Sequence, residues 1–254
     1  GIPMLLILLQ KDTGTALVFT IFVLVFFREG MSPFLLLVGV AAILLFVLAL
    51  LVENEIYLYL GVGVILAAAI FFGKKKFKRI ALLSAGAIVI CGVIGSVDYV
   101  ITDVLKPHQQ NRIKALINPD SDPLGYGWNV TQSKIAIGSG GFLGKGFLKG
   151  TQTKFDFVPE QSTDFIFCTI GEEQGWIGSA FVIVLFVALL LRITFLAERQ
   201  KNRFARAYGY SVACIFFFHF AVNIGMTVGL FPVIGIPLPF FSYGGSSLWA
   251  FTIL

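Results

Sequence analysis

The strongest constraint on this chain is a succession of apolar runs too long and too free of charge to be ordinary strands or surface helices of a water-soluble protein. Phe34 to Val52 passes without one charged residue. That is enough to cross a bilayer, whose hydrocarbon core takes roughly 20 helical residues. Similar runs extend from Thr15 to about Phe27, Ile56 to Phe72, Ile80 to about Val104, Phe165 to Ala197 and Tyr208 to Phe231. Ile2 to Leu9 reads as the end of a further span, and another starts near Ser246. With 57% hydrophobic and 13% charged residues, the composition agrees with an all-α polytopic membrane protein. The expected architecture is a multi-span helical bundle with one large extracytoplasmic loop, at about residues 106–164, and a Pro/Gly-rich re-entrant segment. The chain opens inside one apolar run and stops inside another, so residues 1–254 are expected to be a single transmembrane domain truncated at both ends.

The charges sit where connections are needed. A formal net charge of +5 would suit nucleic acid, but the basic residues fall in short links between spans, which membrane topology explains better. If Lys74, Lys75, Lys76, Lys78 and Arg79 are cytoplasmic, alternation also puts Arg28, Arg199, Lys201, Arg203 and Arg206 inside. The break at Asp12, the acidic Glu53 and Glu55, the long loop and the Pro-rich stretch from Pro232 to Ser247 then share the outer face. Among short connections only Lys11 is basic on that side. Cys91, Cys168 and Cys214 stand singly in apolar segments, so they read as small buried hydrophobes rather than as metal ligands or a disulfide framework.

On that outer face Asp164 stands out, because it falls where the long loop turns back into an apolar run. One reading makes it a helix N-cap or first-turn acid, favoured by the helix dipole. Another makes it a reactive base at the lipid–water boundary. The loop ahead of it contains a turn-rich stretch around Asn118 to Pro123 and a short interfacial helix expected near Trp128 to Ile137, followed by Gly138-Ser139-Gly140-Gly141 and Gly144-Lys145-Gly146. These glycines lack Walker spacing. They either let backbone N–H groups approach a phosphate, with Arg112, Lys134, Lys145 and Lys149 as countercharge, or they are turns beside snorkelling lysines. The segment Gly229 to Ser247 has too many prolines and glycines to be a regular helix, and irregular backbone at this depth belongs in a protein-lined wall. Glu172 and Glu173 either border the same polar cavity or snorkel to the surface. His219 and Asn223, four residues apart, suit a proton relay or, more simply, an interhelical hydrogen bond.

Five strings carry a resemblance: Gln10-Lys11-Asp12-Thr13-Gly14-Thr15, Lys106-Pro107-His108-Gln109-Gln110-Asn111-Arg112-Ile113, Gln132-Ser133-Lys134-Ile135-Ala136-Ile137-Gly138-Ser139-Gly140-Gly141, Pro159-Glu160-Gln161-Ser162-Thr163-Asp164-Phe165-Ile166-Phe167, and Pro237-Leu238-Pro239-Phe240-Phe241-Ser242-Tyr243-Gly244-Gly245-Ser246-Ser247. In this order they resemble the SEDS family (shape, elongation, division and sporulation), with wording closer to its rod-shape branch than to its division branch. Lys11 and Ser162 stand where the family usually has Pro and commonly has His. The interval from Asp12 to His108 also holds more spans than typical members carry.

The resemblance implies a peptidoglycan glycosyltransferase that polymerises lipid II on the outer face of the bacterial inner membrane. It implies Asp164 as the catalytic residue and a class B penicillin-binding protein as partner, besides lipid II, the nascent glycan strand and membrane lipids. The expected chemistry is deprotonation of the acceptor hydroxyl by Asp164 with undecaprenyl pyrophosphate leaving. The expected substrate-binding residues are Arg112, Lys134, Lys145, Gln109, Gln132, Glu160, Thr163 and Ser242. No protein-held metal and no organic cofactor is expected, and a divalent cation, Mg²⁺ or Mn²⁺, bridges carboxylate and pyrophosphate or is dispensed with. A lipid-linked precursor flippase or other transporter, and a non-catalytic cell-wall scaffold, are the competing functions.

Overall fold

The computed structural model describes residues 2–10, 12–52, 55–72, 77–99, 101, 103, 105, 107–117, 125–155 and 157–254. Lys11, Glu53, Asn54, Lys74, Lys75, Lys76, Lys106 and the turn-rich 118–124 lie outside the described residues. Within them the regular structure is all helical, with no strand. The elements are α1 (Ile2–Leu9), α2 (Thr13–Val18), a 3₁₀ turn (Phe19–Phe22), α3 (Val23–Arg28), α4 (Pro33–Leu51), α5 (Glu55–Phe71), α6 (Phe77–Tyr99), α7 (Pro107–Ile117), α8 (Tyr126–Ser139), α9 (Thr151–Lys154), α10 (Ile166–Glu198), α11 (Arg203–Thr227) and α12 (Gly245–Ile253). Helices α4, α10 and α11 are long and apolar enough to cross a membrane, with shorter apolar helices at Gly14–Arg28, Ile56–Phe71 and Leu83–Val97. The chain is therefore a multi-pass membrane protein, and the boundaries fall where Pro, Gly and the charges interrupt the apolar runs.

The chain divides into two compact units, residues 32–110 and residues 1–31 with 111–254. In the first, α4 starts at Ser32, whose hydroxyl accepts the Phe34 N–H, with Pro33 in the first helical turn where its missing donor costs nothing. Ala49, Ile94 and Val97 form its buried centre, with Leu58, Tyr59 and Ile90 packed on them.

The second unit carries the site. Its frame is the antiparallel pair α10 and α11, joined by a tight turn in which the Asn202 side chain caps the Phe204 N–H at 2.9 Å. Aromatic stacking ties the pair together, with the Phe186 and Phe220 rings 4.8 Å apart. At the turn end, Arg28 makes two 2.9 Å contacts to Glu198, and Glu29 accepts from Arg203 at 2.9 Å and Arg206 at 3.0 Å. These pairs fix the end of α3 to the hairpin. Arg206 first, then Arg203, hold the Glu29 carboxyl down from 4.5 to about 2.

At its other end α10 is broken. Gly175 has φ 65° and ψ −159°, outside helical geometry, so the backbone groups around it need partners elsewhere. The glycine-rich stretch after α8 supplies them. Lys145 and Gly146 donate their N–H groups to the Glu172 and Glu173 carbonyls at 3.0 and 2.9 Å, while Trp176 and Ile177 donate to the Gly141 and Phe142 carbonyls at 2.9 and 3.3 Å. The approach is close enough to require glycine. A Cβ on Gly140 would lie 2.0 Å from the Gly171 carbonyl oxygen, and one on Gly144 2.2 Å from that of Glu173. In this glycine run the N–H groups at 145 and 146 are used to splice a helix.

Two outcomes follow. Gly140→Ala is expected to destabilise the protein by about 1–3 kcal/mol, the usual effect of forcing volume into a packed site, seen as a lower thermal midpoint in detergent. Gly138→Ala, whose Cβ would meet nothing within 4 Å, is expected not to lower it. Because Glu29 titrates lower in the folded state, its contribution is present above its ordinary 4.5 and lost as the pH falls towards about 2. The thermal midpoint of the unmodified protein should therefore fall more steeply on acidification than that of Glu29→Gln.

Candidate active site

Asp164 stands between the loop and α10, just before the helix begins at Ile166, and its peptide is held from three directions. The N–H of Tyr243 donates to the Ser162 carbonyl at 2.8 Å. The Ser242 hydroxyl donates to the Thr163 carbonyl at 2.6 Å while accepting the Leu238 N–H at 2.7 Å. The buried amide of Asn223 donates to the Asp164 carbonyl and to the Ile236 carbonyl, each at 2.8 Å. Three successive carbonyls of the acidic motif are thus captured by the Pro/Gly segment and by α11. That segment is the irregular wall expected from its composition. Gly229 at φ 77° closes α11, with the Leu230 N–H reaching back to the Gly225 carbonyl at 2.7 Å, the usual glycine-terminated helix end.

Hydrophobic anchoring completes the placement. Val158 and Phe165, each 1% exposed, flank the motif and pack with Val130, Ala136, Cys168 and Val233. Within the motif, Glu160 adopts φ 55°, uncommon for a residue with a side chain and a form of local strain that tight functional turns hold. Its carbonyl accepts from the Thr163 and Phe165 N–H groups, and its carboxylate accepts the Thr163 hydroxyl at 2.9 Å.

The carboxylate of Asp164 lies over Gly235, where a Cβ would stand 3.4 Å from Oδ2. Gly235 has φ 72°, so the residue beneath the carboxylate is suited to glycine in both space and conformation. Burial raises the Asp164 pKa, the nearby Glu160 charge raises it further, and Arg112 opposes them. The start of α2, where Asp12 stands, approaches the same segment. Asp12 caps α2 through Thr15, with its Oδ2 accepting the hydroxyl at 2.6 Å, and a Cβ on Gly14 would lie 2.6 Å from the Ile234 carbonyl. A cavity of about 440 Å³ adjoins the motif, lined by Leu148, Thr153, Lys154, Gln161, Ser162, Ile166, Thr169 and Glu173.

Some of the other residues singled out from sequence lie at Asp164. Arg112, Glu160, Thr163 and Ser242 gather around it, although the Ser242 hydroxyl and the Thr163 hydroxyl bond within the fold. Lys134 is exposed, with its ammonium over Gly229 at the end of α11, where a cation suits the helix dipole. Gln132 is buried on α8. Gln109 is half-buried in the first turn of α7 and belongs to the other compact unit. Lys145 is engaged by the fully buried Glu172 at 2.7 Å. That carboxylate also accepts the N–H groups of Thr151, Gln152 and Thr153 at 2.7–2.9 Å, so it anchors α9 rather than snorkelling to the surface. Sequence reasoning gave Asn223, with His219, a proton relay or an interhelical hydrogen bond, and assigned Gly235 no role of its own. The spacing of His219, which contacts the Pro237 carbonyl at 3.2 Å, and Asn223 was the available signal.

The chain is 38% identical over 270 aligned residues to peptidoglycan glycosyltransferase RodA of Treponema pallidum, covering 98% of this chain and 62% of that protein. It is 37% identical over 223 residues to peptidoglycan glycosyltransferase MrdB of Escherichia coli K12, covering 87% and 59%, and 39% identical over 191 residues to a probable peptidoglycan glycosyltransferase FtsW of Trichlorobacter lovleyi, covering 74% and 48%. The chain thus spans about three fifths of the length of the RodA and MrdB relatives. A chain of a solved peptidoglycan synthase complex, described as coordinating polymerization and crosslinking, superposes with a TM-score of 0.49 at 23% identity, covering 94% of this chain and 93% of that one. The FtsW/RodA/SpoVE cell cycle protein model matches residues 27–254, and the chain belongs to that family.

Proposed function

We propose that this protein polymerises lipid II into glycan strands for cell elongation, at the outer face of the bacterial inner membrane, with Asp164 as general base. The observation that carries the reading is the Asp164 carboxylate itself. Burial and Glu160 make it a stronger base than an ordinary aspartate, Arg112 faces it, and its backbone is tied at three successive carbonyls. The names borne by the RodA and MrdB relatives supply the reaction class.

In the proposed step Asp164 takes the proton from the attacking sugar hydroxyl of the acceptor. That oxygen forms the new glycosidic bond as the bond from the donor sugar to undecaprenyl pyrophosphate breaks, and the electron pair departs with the pyrophosphate. An α-linked donor and β-linked product mean inversion in one displacement, so one essential carboxylate suffices. Arg112 and Lys134 are placed in the role of meeting the pyrophosphate charge, whereas Lys145, held by Glu172, shapes the loop. Among the described residues no three His, Cys, Asp or Glu side chains converge. A divalent ion, Mg²⁺ or Mn²⁺, would be held chiefly by the substrate pyrophosphate and water and would supply charge neutralisation there. A class B penicillin-binding protein is the proposed partner.

In the full-length protein with its cognate transpeptidase, Asp164→Asn is expected to lower lipid II polymerisation, read as glycan strands on a gel, by about 10²–10⁴-fold, the usual contribution of a general base. Because the folded state disfavours the Asp164 charge, the same substitution should raise rather than lower the thermal midpoint at neutral pH, separating lost chemistry from lost folding. Undiminished polymer would remove Asp164 from the reaction. Lipid II movement across vesicles without polymer would instead favour a transporter, and dispensability of Asp164 for cell-wall assembly would favour a scaffold. The rate should rise with pH as Asp164 gives up its proton, with a midpoint above the ordinary 3.8. Glu160→Gln should move that midpoint down by removing a like charge, and Arg112→Gln should move it up by removing the opposing one.

A further inference from the structure

The Asn223 side chain is fully buried, lies near the C-terminal end of α11, and bonds to the acidic motif only at a main-chain carbonyl. Its Nδ2 group divides its two protons between the carbonyls of Asp164 and Ile236, at 2.8 Å each. Its Oδ1 is buried with no hydrogen-bond partner. The orientation of the amide is fixed by this pattern, because turning it over would set Oδ1 against two carbonyl oxygens. An apolar side chain of similar volume would fill the space without burying an orphan oxygen. The retained amide therefore points to the two carbonyls it joins. One belongs to Asp164, and the other is next to Gly235, the residue over which the Asp164 carboxylate rests. One turn earlier His219 contacts the next carbonyl of the segment, Pro237.

We infer that Asn223 is a positioning residue, a tether that locks the Asp164 peptide to the Ile236 peptide and thereby aims the Asp164 carboxylate across Gly235 towards the acceptor hydroxyl. The inference rests on the reading of Asp164 as the base and extends it to a residue that touches no substrate. Ser242 and Tyr243 fix the two preceding carbonyls, so the loop stays attached without Asn223. Only the last link, the one that orients Asp164, is released. The charged groups facing Asp164 are Glu160, on the same loop, and Arg112, on α7. Neither bonds to Asn223, so loss of the tether acts on the direction and hydration of Asp164 rather than on its charge partners.

The test uses the full-length protein with its transpeptidase and three variants: Asn223→Ala, which removes the donors; Asn223→Asp, which keeps the size but not the amide; and Asn223→Ser, which is smaller and keeps one donor. Displacing a catalytic group by an ångström costs as much as about 10²-fold. Asn223→Ala and Asn223→Asp should therefore lower kcat for lipid II by about 10–100-fold while KM stays within about threefold, with Asn223→Ser intermediate. In parallel, the pH dependence of Asp164 modification by a hydrophobic carbodiimide with an amine trap, followed by mass spectrometry, should shift to lower pH in Asn223→Ala. A released carboxyl is better hydrated and ionises more readily.

Normal kcat in the Ala and Asp variants would overturn the inference. So would a fall in kcat that merely tracks a lower thermal midpoint while the Asp164 profile stays unchanged. If Asn223→Ala does not fold, the Asp and Ser variants carry the same comparison. If Asp164→Ala polymerises normally, the proposed reaction falls, yet a shifted modification profile in the tether variants still supports the positioning. If Asp164→Ala is inactive and the tether variants are unaltered in both measurements, only the inference falls.

Discussion

Backbone that leaves the helix where water is excluded, at the edge of a membrane, must have its peptide groups met from within the protein. This chain has two irregular stretches near that boundary, the acidic motif before α10 and the Pro/Gly segment after α11, and each meets the other's need. Carbonyls of 162, 163 and 164 are taken by Tyr243, Ser242 and Asn223. The placement of Asp164 is thus a by-product of hydrogen-bond satisfaction: the same bonds that make the irregular segments tolerable in the fold also fix the carboxylate.

A second exchange of the same kind occurs nine residues past the start of α10. Gly175 interrupts α10, and the backbone groups stranded there are matched by the loop that follows α8. Glycines at 140, 144, 171 and 175 let two main chains meet, and the buried Glu172 carboxylate gathers the start of α9 with Lys145 as counterion. Removing one member of a buried charged pair is far more damaging than the net worth of the pair suggests. The loop, the broken helix and the acidic motif therefore form one hydrogen-bonded unit.

Much of the fold was legible because apolar runs, and the polar breaks between them, mark spans directly. The expected span from Phe34 to Val52 became Pro33–Leu51, and the expected interfacial helix near Trp128 became Tyr126–Ser139. Asp164 was legible as a carboxylate at a boundary, and its neighbours Arg112 and Glu160 through their motifs. The break at Gly175 was not, because an isolated glycine in an apolar run differs little from those that helices accommodate, and only the distant 141–146 stretch gives it meaning. The pairing of Lys145 with Glu172 joins residues 27 positions apart, a contact that neither helical nor strand periodicity encodes. Free-standing lysines and glycines invite a ligand until the fold shows that they are already engaged.

The hairpin of α10 and α11 is polar-bonded at both ends, by Arg28, Glu29, Glu198 and Arg206 at one and by the motif carbonyls at the other. Between them lie largely apolar contacts of the kind lipid tails can also offer, which resist sliding and tilting only weakly. A bilayer thinner or thicker than this hairpin imposes a tilt, as hydrophobic mismatch does on any span. The Gly175 break in α10 is pinned by four backbone hydrogen bonds to the 141–146 stretch, so a tilt imposed on the hairpin would be passed on to that stretch as well as to the start of α10 beside Asp164.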